Sequence, residues 1–180
     1  MSTILLIIVL VIAAVAIYAA TRPGTFVVER SLAIKAPPER IFALINDFHQ
    51  WTRWSPYEKL DPALKRTYSG AESGKGAIYD WEGNGKAGKG RMEIAETQPP
   101  SRVSINLDFM KPFRATNKVD FTMVPEGGAT RVAWTMQGNS PYMAKLMGLF
   151  MNMDNLIGKD FEQGLANLKA ETERPELPAS

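Results

Sequence analysis

The chain has 180 residues, 45% of them hydrophobic and 22% charged, with a formal net charge of +2 and no cysteine. That length fits one domain with appendages, and the charge is too mild and too evenly interspersed to predict nucleic-acid binding. Without cysteine there are no disulfides or thiolate metal sites, and the single histidine, His49, excludes a histidine-rich one, so neither a metal nor a cofactor is expected.

Ile4 to Ala20 is an uninterrupted apolar run without a charge. As a helix it spans about 25 Å, slightly short of a hydrocarbon core of roughly 30 Å, and Thr3, Thr21 and slight bilayer thinning close the gap. A single-pass membrane anchor is the favoured reading, because no Lys or Arg precedes the run and it exceeds a usual signal core. The competing reading is a cleaved signal, which the small residues Ala13-Ala14-Val15-Ala16 and Ala19-Ala20 would suit, leaving a secreted or periplasmic product. Arg22, Arg30, Lys35 and Arg40 follow the span, so the positive-inside rule puts the folded domain on the cytoplasmic side. The chain then divides into an anchor over residues 1–22, a folded domain over 25–170 and a disordered polar tail over 171–180.

Pro23-Gly24 breaks any helix, and a first strand is predicted over Thr25 to Lys35. Val28, Arg30, Leu32 and Ile34 share one parity, which puts a cation on the apolar face. Arg30 is therefore either paired with a carboxylate at the strand's end or a pocket cation that meets an acidic head group. Only a few residues separate this strand from the span, so an anchored domain must sit nearly flush on the bilayer. Ala36-Pro37-Pro38-Glu39 opens a short helix with Ile41, Phe42, Leu44 and Ile45 on its apolar face. Asn46-Asp47 ends it and caps a second short helical turn carrying Trp51 and Trp54, three residues apart and so on one face. These two tryptophans bound any cavity. Glu58 and Asp61 read as solvated loop carboxylates.

From Leu64 onward, strands are predicted at 65–70, 76–83, 86–97, 102–110, 113–124 and 130–138, each bounded by Gly, Pro, Ser or Asn. Glu82-Gly83-Asn84-Gly85 and Glu126-Gly127-Gly128-Ala129 read as hairpin turns, which makes an antiparallel meander. Parity puts Val103, Ile105, Leu107 and Phe109 on one face; Val119, Phe121 and Met123 share a face with Asn117; Val132, Trp134 and Met136 oppose Arg131 and Thr135. Tyr79 and Trp81 also share a face. One apolar and one solvated face is the pattern of an antiparallel sheet covered on one side. Arg30 and Asn117 are the polar exceptions on the inner face, and each needs a partner there.

Pro141 to about Lys169 then reads as one long amphipathic helix. Met143, Leu146, Met147, Phe150, Met153, Ile157, Phe161, Leu165 and Leu168 recur at spacings of three and four. A lone long helix at the end of a strand-rich chain needs a partner, and a curved sheet is large enough to provide one. The fold class is thus α+β: a helix-grip fold, in which a curved antiparallel sheet wraps a long C-terminal helix, preceded by a transmembrane helix.

The run Val28-Glu29-Arg30-Ser31, then Ala36-Pro37-Pro38, Asn46-Asp47-Phe48 and Trp51-x-x-Trp54-Ser55-Pro56, resembles the START/Bet v 1-like (SRPBCC) superfamily. Thr67-Tyr68-Ser69-Gly70, Trp81-Glu82-Gly83-Asn84 and the segment from Asp160 to Leu168 are further matching pieces, and the branch they resemble is that of bacterial polyketide cyclase/dehydrase and lipid-transport-like proteins. The resemblance covers about residues 25–170 and implies a cavity between sheet and helix for lipids, polyketides or similar apolar molecules. No catalytic motif transfers residue by residue, and the family does not share one chemistry.

The expected lining of that cavity is Arg30, Trp51, Trp54, Tyr79, Trp81, Phe109, Asn117, Phe121, Trp134, Met136, Met143, Met147 and Phe150. The partner expected there is an apolar small molecule or lipid, held by a membrane-anchored binding or carrier protein. The alternatives are a cyclase or dehydrase using Arg30, Asn117 or Tyr79 to polarise a carbonyl, and a protein-interaction module whose groove takes a partner's apolar segment.

Overall fold

In this computed structural model, residues 2–140, 145, 148–149 and 152–174 are described. The apolar run forms helix α1 (Ser2–Thr21), whose 20 residues rise about 30 Å, long and apolar enough to cross a membrane.

Seven strands follow: β1 (Thr25–Ile34), β2 (Lys65–Gly70), β3 (Ala77–Glu82), β4 (Lys89–Gln98), β5 (Arg102–Lys111), β6 (Ala115–Glu126) and β7 (Ala129–Asn139). They make one antiparallel sheet in the order β1-β7-β6-β5-β4-β3-β2. β2 to β7 are the meander expected from the turn residues. β1 closes the other side by pairing with the last strand, Thr25 opposite Asn139 and Ile34 opposite Thr130. Gly127 and Gly128 take φ of 57° and 82°, as a two-residue hairpin between Glu126 and Ala129 requires. The other predicted hairpin is longer. Asn84 Oδ1 accepts from the amides of Lys86 (2.9 Å) and Ala87 (3.1 Å), which holds Lys86 to Gly88 in the turn and delays β4 to Lys89.

The connection from β1 to β2 holds helix α2 (Pro38–Ile45) and two 3-10 turns, Phe48–Arg53 and Pro56–Lys59. Pro38 sits at the start of α2, where its missing N–H costs nothing, and Ile41, Phe42, Leu44 and Ile45 are buried against β5 and β6. Asp47 caps the first 3-10 turn by accepting from the His49 amide at 2.9 Å.

The C-terminal helix departs from the sequence expectation at both ends. Helix α3 runs Met153–Thr172, not from Pro141. Gly148 and Leu149 lie in a turn, and Asn152 is extended (φ −78°, ψ 94°) with its side-chain oxygen accepting from the Asn155 amide at 3.1 Å. An asparagine that satisfies a free amide starts a helix instead of continuing one, and Asp154 in the first turn adds a favourable charge. The apolar periodicity passes through this break without registering it. Met143, Leu146, Met147 and Phe150 lie outside the described residues, as does the tail from 175 to 180. At the far end α3 runs to Thr172, past the expected end near Lys169. Glu171 pairs with Arg53 and with Arg174, the latter at 3.0 Å, and Glu173 accepts from the Lys35 amide at 2.7 Å. These bonds tie the supposed start of the tail to α2's surroundings.

Phe161, Leu165 and Leu168 of α3 are buried between the helix and the sheet. Gly164 permits the close approach, since a Cβ there would lie 2.6 Å from the Trp134 ring.

Candidate functional site

Antiparallel pairing lines up the inner-face residues in rows that cross the sheet. Reading from the end that carries the β5–β6 turn, the first row is Trp81, Gly90, Phe109 and Ala115. The second is Tyr68, Tyr79, Met92, Leu107, Asn117, Gly138 and Phe26, one residue from each of the seven strands. The third is Ile94, Ile105, Val119, Met136 and Val28, and the fourth includes Phe121, Trp134 and Arg30.

The fourth row is roofed by α3 and by the tryptophan turn. Trp134 stacks flat on Phe161, with centroids 4.2 Å apart and planes at 8°. Trp54 meets Trp134 edge-on at 5.7 Å and Phe121 at 6.0 Å, and Trp51 packs on Trp54 at 4.9 Å. Both turn tryptophans spend their N–H inside the protein: Trp51 donates to the Ile45 carbonyl (3.0 Å) and Trp54 to that of Leu44 (3.2 Å). Trp51, Trp54, Phe121 and Trp134 thus form an aromatic floor. Tyr57 also packs on Trp134, and burial, then the nearby Asp160 carboxylate, hold its phenol neutral well above the usual tyrosine range.

Above that floor the first three rows are almost wholly apolar. Trp81 lies over Gly90, where a Cβ would also press within 2.6 Å of the Asp108 carbonyl, and its N–H goes to the Ala87 carbonyl at 2.9 Å. Phe109 meets that indole edge-on at 5.8 Å. Two buried polar atoms, one on the second row and one in the floor, have no partner among the described residues. Asn117 is 6% exposed and its side-chain oxygen accepts no hydrogen bond; Trp134 is 3% exposed and its N–H donates to nothing. Gly138 makes room for the amide, because a Cβ there would sit 2.9 Å from Asn117 Cγ and 3.1 Å from Phe26. An unpaired buried acceptor costs roughly 1–3 kcal/mol, so the Asn117 oxygen on the second row marks a place where something else can bond.

Arg30, Glu58, Asp61 and Asp47 are each bonded within the protein. Arg30 bonds Glu162 through Nε at 2.8 Å and Asp154 through Nη2 at 2.9 Å, so of its two sequence readings the geometry gives the carboxylate pair. Those bonds, Asp154 first, raise the guanidinium further above its ordinary value and draw Asp154 down. Tyr79 donates to Glu58 at 2.6 Å, and Glu58's other oxygen accepts from Arg66 Nε at 2.6 Å. Burial and then the Glu58 bond push the Tyr79 phenol well above its usual range. Glu58 and Asp61 are buried, contrary to their reading as solvated loop carboxylates, with Asp61 accepting from the amides of Ala63 (2.9 Å) and Asn84 (2.7 Å). His49 bonds Asp47 through Nδ1 at 2.8 Å and stacks on Tyr68 at 4.1 Å, outside the lining. Among the described residues no group of three His, Cys, Asp or Glu is placed to hold a metal.

The structure therefore gathers Tyr79, Trp81, Phe109, Asn117 and Met136 on the first three rows and Trp51, Trp54, Phe121 and Trp134 on the floor, with Arg30 turned to α3. Met143, Met147 and Phe150 lie outside the described residues. Sequence reasoning missed Gly138 and Glu58. A glycine inside a strand was the available signal for the first; the second has partners 8 and 21 residues away and no local signal.

Three solved structures place this architecture among known folds. A Chromobacterium violaceum protein, CV1439, is 16% identical over 86% of this chain and 100% of its own, with a TM-score of 0.60. A Thermobifida fusca protein is 22% identical over 86% and 97%, also with a TM-score of 0.60. Ara h 8.0201 is 13% identical over 83% and 98%, with a TM-score of 0.58. At these identities the likeness is one of fold. No curated protein matches the sequence. The sequence profile of one family does, across residues 25–173, which is the whole of the sheet and its helices. On that match the chain belongs to the polyketide cyclase / dehydrase and lipid transport family.

Proposed function

We propose that this protein is a membrane-anchored binding or carrier protein for a mainly apolar small molecule bearing one polar group. The molecule lies along the inner face of the sheet, over Met92, Leu107 and Met136. The observation that carries this reading is the unpaired Asn117 amide oxygen, buried among apolar side chains in a strand that supplies no partner for it. A hydroxyl, amide or protonated carboxyl on the ligand would satisfy it. Family membership supports an apolar ligand, and α1 supports an anchor.

The cyclase or dehydrase reading needs an electrophilic group facing the substrate. Arg30 and Tyr79, two of its three candidates, already donate to carboxylates. Asn117 is the one candidate of the three without a carboxylate partner among the described residues, and its NH2 could donate to a substrate carbonyl just as its oxygen could accept from a ligand. That distribution favours binding over turnover.

The test is to purify the full chain in detergent, extract it with organic solvent and analyse the extract by mass spectrometry. Stoichiometric recovery of one class of apolar molecule is expected, with recovery falling in Asn117→Leu. Repeated extracts without any such molecule, from protein shown to be folded, would overturn the reading.

A further inference from the structure

The inference rests on the anchor reading of α1 and concerns which face of the domain the bilayer meets. Arg22, Pro23 and Gly24 alone separate α1 from β1, so Thr25 lies at most about 14 Å from Thr21. The tether is also pinned: the Ser140 amide donates to the Gly24 carbonyl at 2.8 Å. Whatever holds α1 must therefore lie close to the end of the sheet where β1 begins.

Strand register identifies what else is at that end. Thr25 faces Asn139, Asn117 faces Gly138, and Phe109 faces Ala115, so the β5–β6 turn, Lys111 to Arg114, projects from the same edge as the tether. Gly88 of the β3–β4 turn packs beside it, against Pro112. This turn shows an unusual surface. Phe113 is 73% exposed and Met110 41% exposed, although neither is part of an apolar stripe that the domain could cover. Lys111 and Arg114 flank Phe113 in the turn and Lys86 belongs to the adjoining β3–β4 turn; none of the three has an ion-pair partner among the described residues, although Glu82, bonded to Lys89, also feels the Lys111 charge. The turn at the opposite end, Glu126 to Ala129, is two glycines and a glutamate paired with Arg131.

An exposed aromatic in a turn that carries cations outside ion pairs matches an anionic lipid surface, where the ring enters the interfacial layer and the cations meet phosphate groups. We propose that the Lys111–Arg114 turn is a second membrane contact, with Phe113 and Met110 inserted and Lys86, Lys111 and Arg114 on anionic headgroups. Tether and turn together hold the Trp81–Gly90–Phe109 row against the bilayer. An apolar ligand could then pass between lipid and inner face without crossing water.

The chain has no cysteine, so one introduced thiol labels a single position. Phe113→Cys and, at the exposed opposite end, Glu72→Cys are labelled with an NBD fluorophore in the full chain. Each is reconstituted into phosphatidylcholine vesicles with and without phosphatidylglycerol and washed with alkaline carbonate. In vesicles containing phosphatidylglycerol the label at 113 should be blue-shifted and quenched by spin-labelled lipid, the label at 72 should stay aqueous, and K86Q/K111Q/R114Q should remove the shift at 113. A chain that survives the wash with both labels equally aqueous overturns the docking turn and leaves the anchor standing. A chain released by the wash overturns both.

Discussion

The Arg30 guanidinium occupies the space that a side chain on Gly158 would need: a Cβ there would lie 2.7 Å from Arg30 Nε and closer still to the rest of the group. The glycine is thus the socket of the bond that clamps the first turns of α3 to β1. Gly158→Ala should expel the guanidinium and break its contacts with Asp154 and Glu162. Alanine is intrinsically better in a helix by about 1 kcal/mol, so the sign of the change depends on the arginine. Gly158→Ala is expected to be neutral or destabilising in the wild-type chain and stabilising by roughly 0.5–1 kcal/mol in Arg30→Ala. Thermal or chemical unfolding of the four proteins in the double-mutant cycle measures this.

Gly138→Ala tests the second row. The added methyl would displace the Asn117 amide and press on Phe26. A loss of about 1–3 kcal/mol is expected from overpacking, read from the denaturation midpoint, together with weaker retention of bound molecules.

Tyr79→Phe removes the donor to Glu58 and leaves a buried carboxylate oxygen bare, although Arg66 still holds the other. The expected cost is about 1–3 kcal/mol at neutral pH. A change of less than a few tenths, measured by urea unfolding, would mean that the bond is not maintained.

On the outer face Asp120 accepts from Arg102 Nη2 at 2.7 Å and from Ser104. Burial alone would raise its pKa, but the Ser104 and Arg102 bonds outweigh it and draw the carboxyl below its ordinary value. A depressed folded-state pKa stabilises the protein above the unfolded value of about 3.9, and that stability is lost as pH falls through the folded one. Asp120→Asn should therefore cost about 1–3 kcal/mol at pH 7 and progressively less below about pH 4, followed by unfolding across pH.

The strands and their inner faces were legible because alternation carries the same information in sequence and in sheet. Asn117 stands out from Val119, Phe121 and Met123 in the sequence alone, and it is the residue on which the proposed site turns. The start of α3 was not legible from apolar spacing, since Met153 and Ile157 continue the rhythm of the residues before Asn152. The cap itself was the better guide, an asparagine with an acid two residues on. Glu58 escaped for a different reason. Its burial depends on Arg66 and Tyr79, which reach it only once β2 and β3 are paired, so a carboxylate in a polar loop looked solvated. Arg30 was narrowed to two readings by parity, and the choice between them needed the position of α3.

The central claim is that the inner face holds an apolar molecule whose polar group bonds Asn117. Titrating the full chain, stripped of bound molecules, with a dansyl-labelled fatty acid and following energy transfer from its tryptophans tests this most directly. Saturable binding at one site is predicted, weakened about 2- to 12-fold in Asn117→Leu, the factor that one hydrogen bond of about 0.5–1.5 kcal/mol represents. Transfer that never saturates, or saturable binding with the same affinity in both proteins, would contradict it.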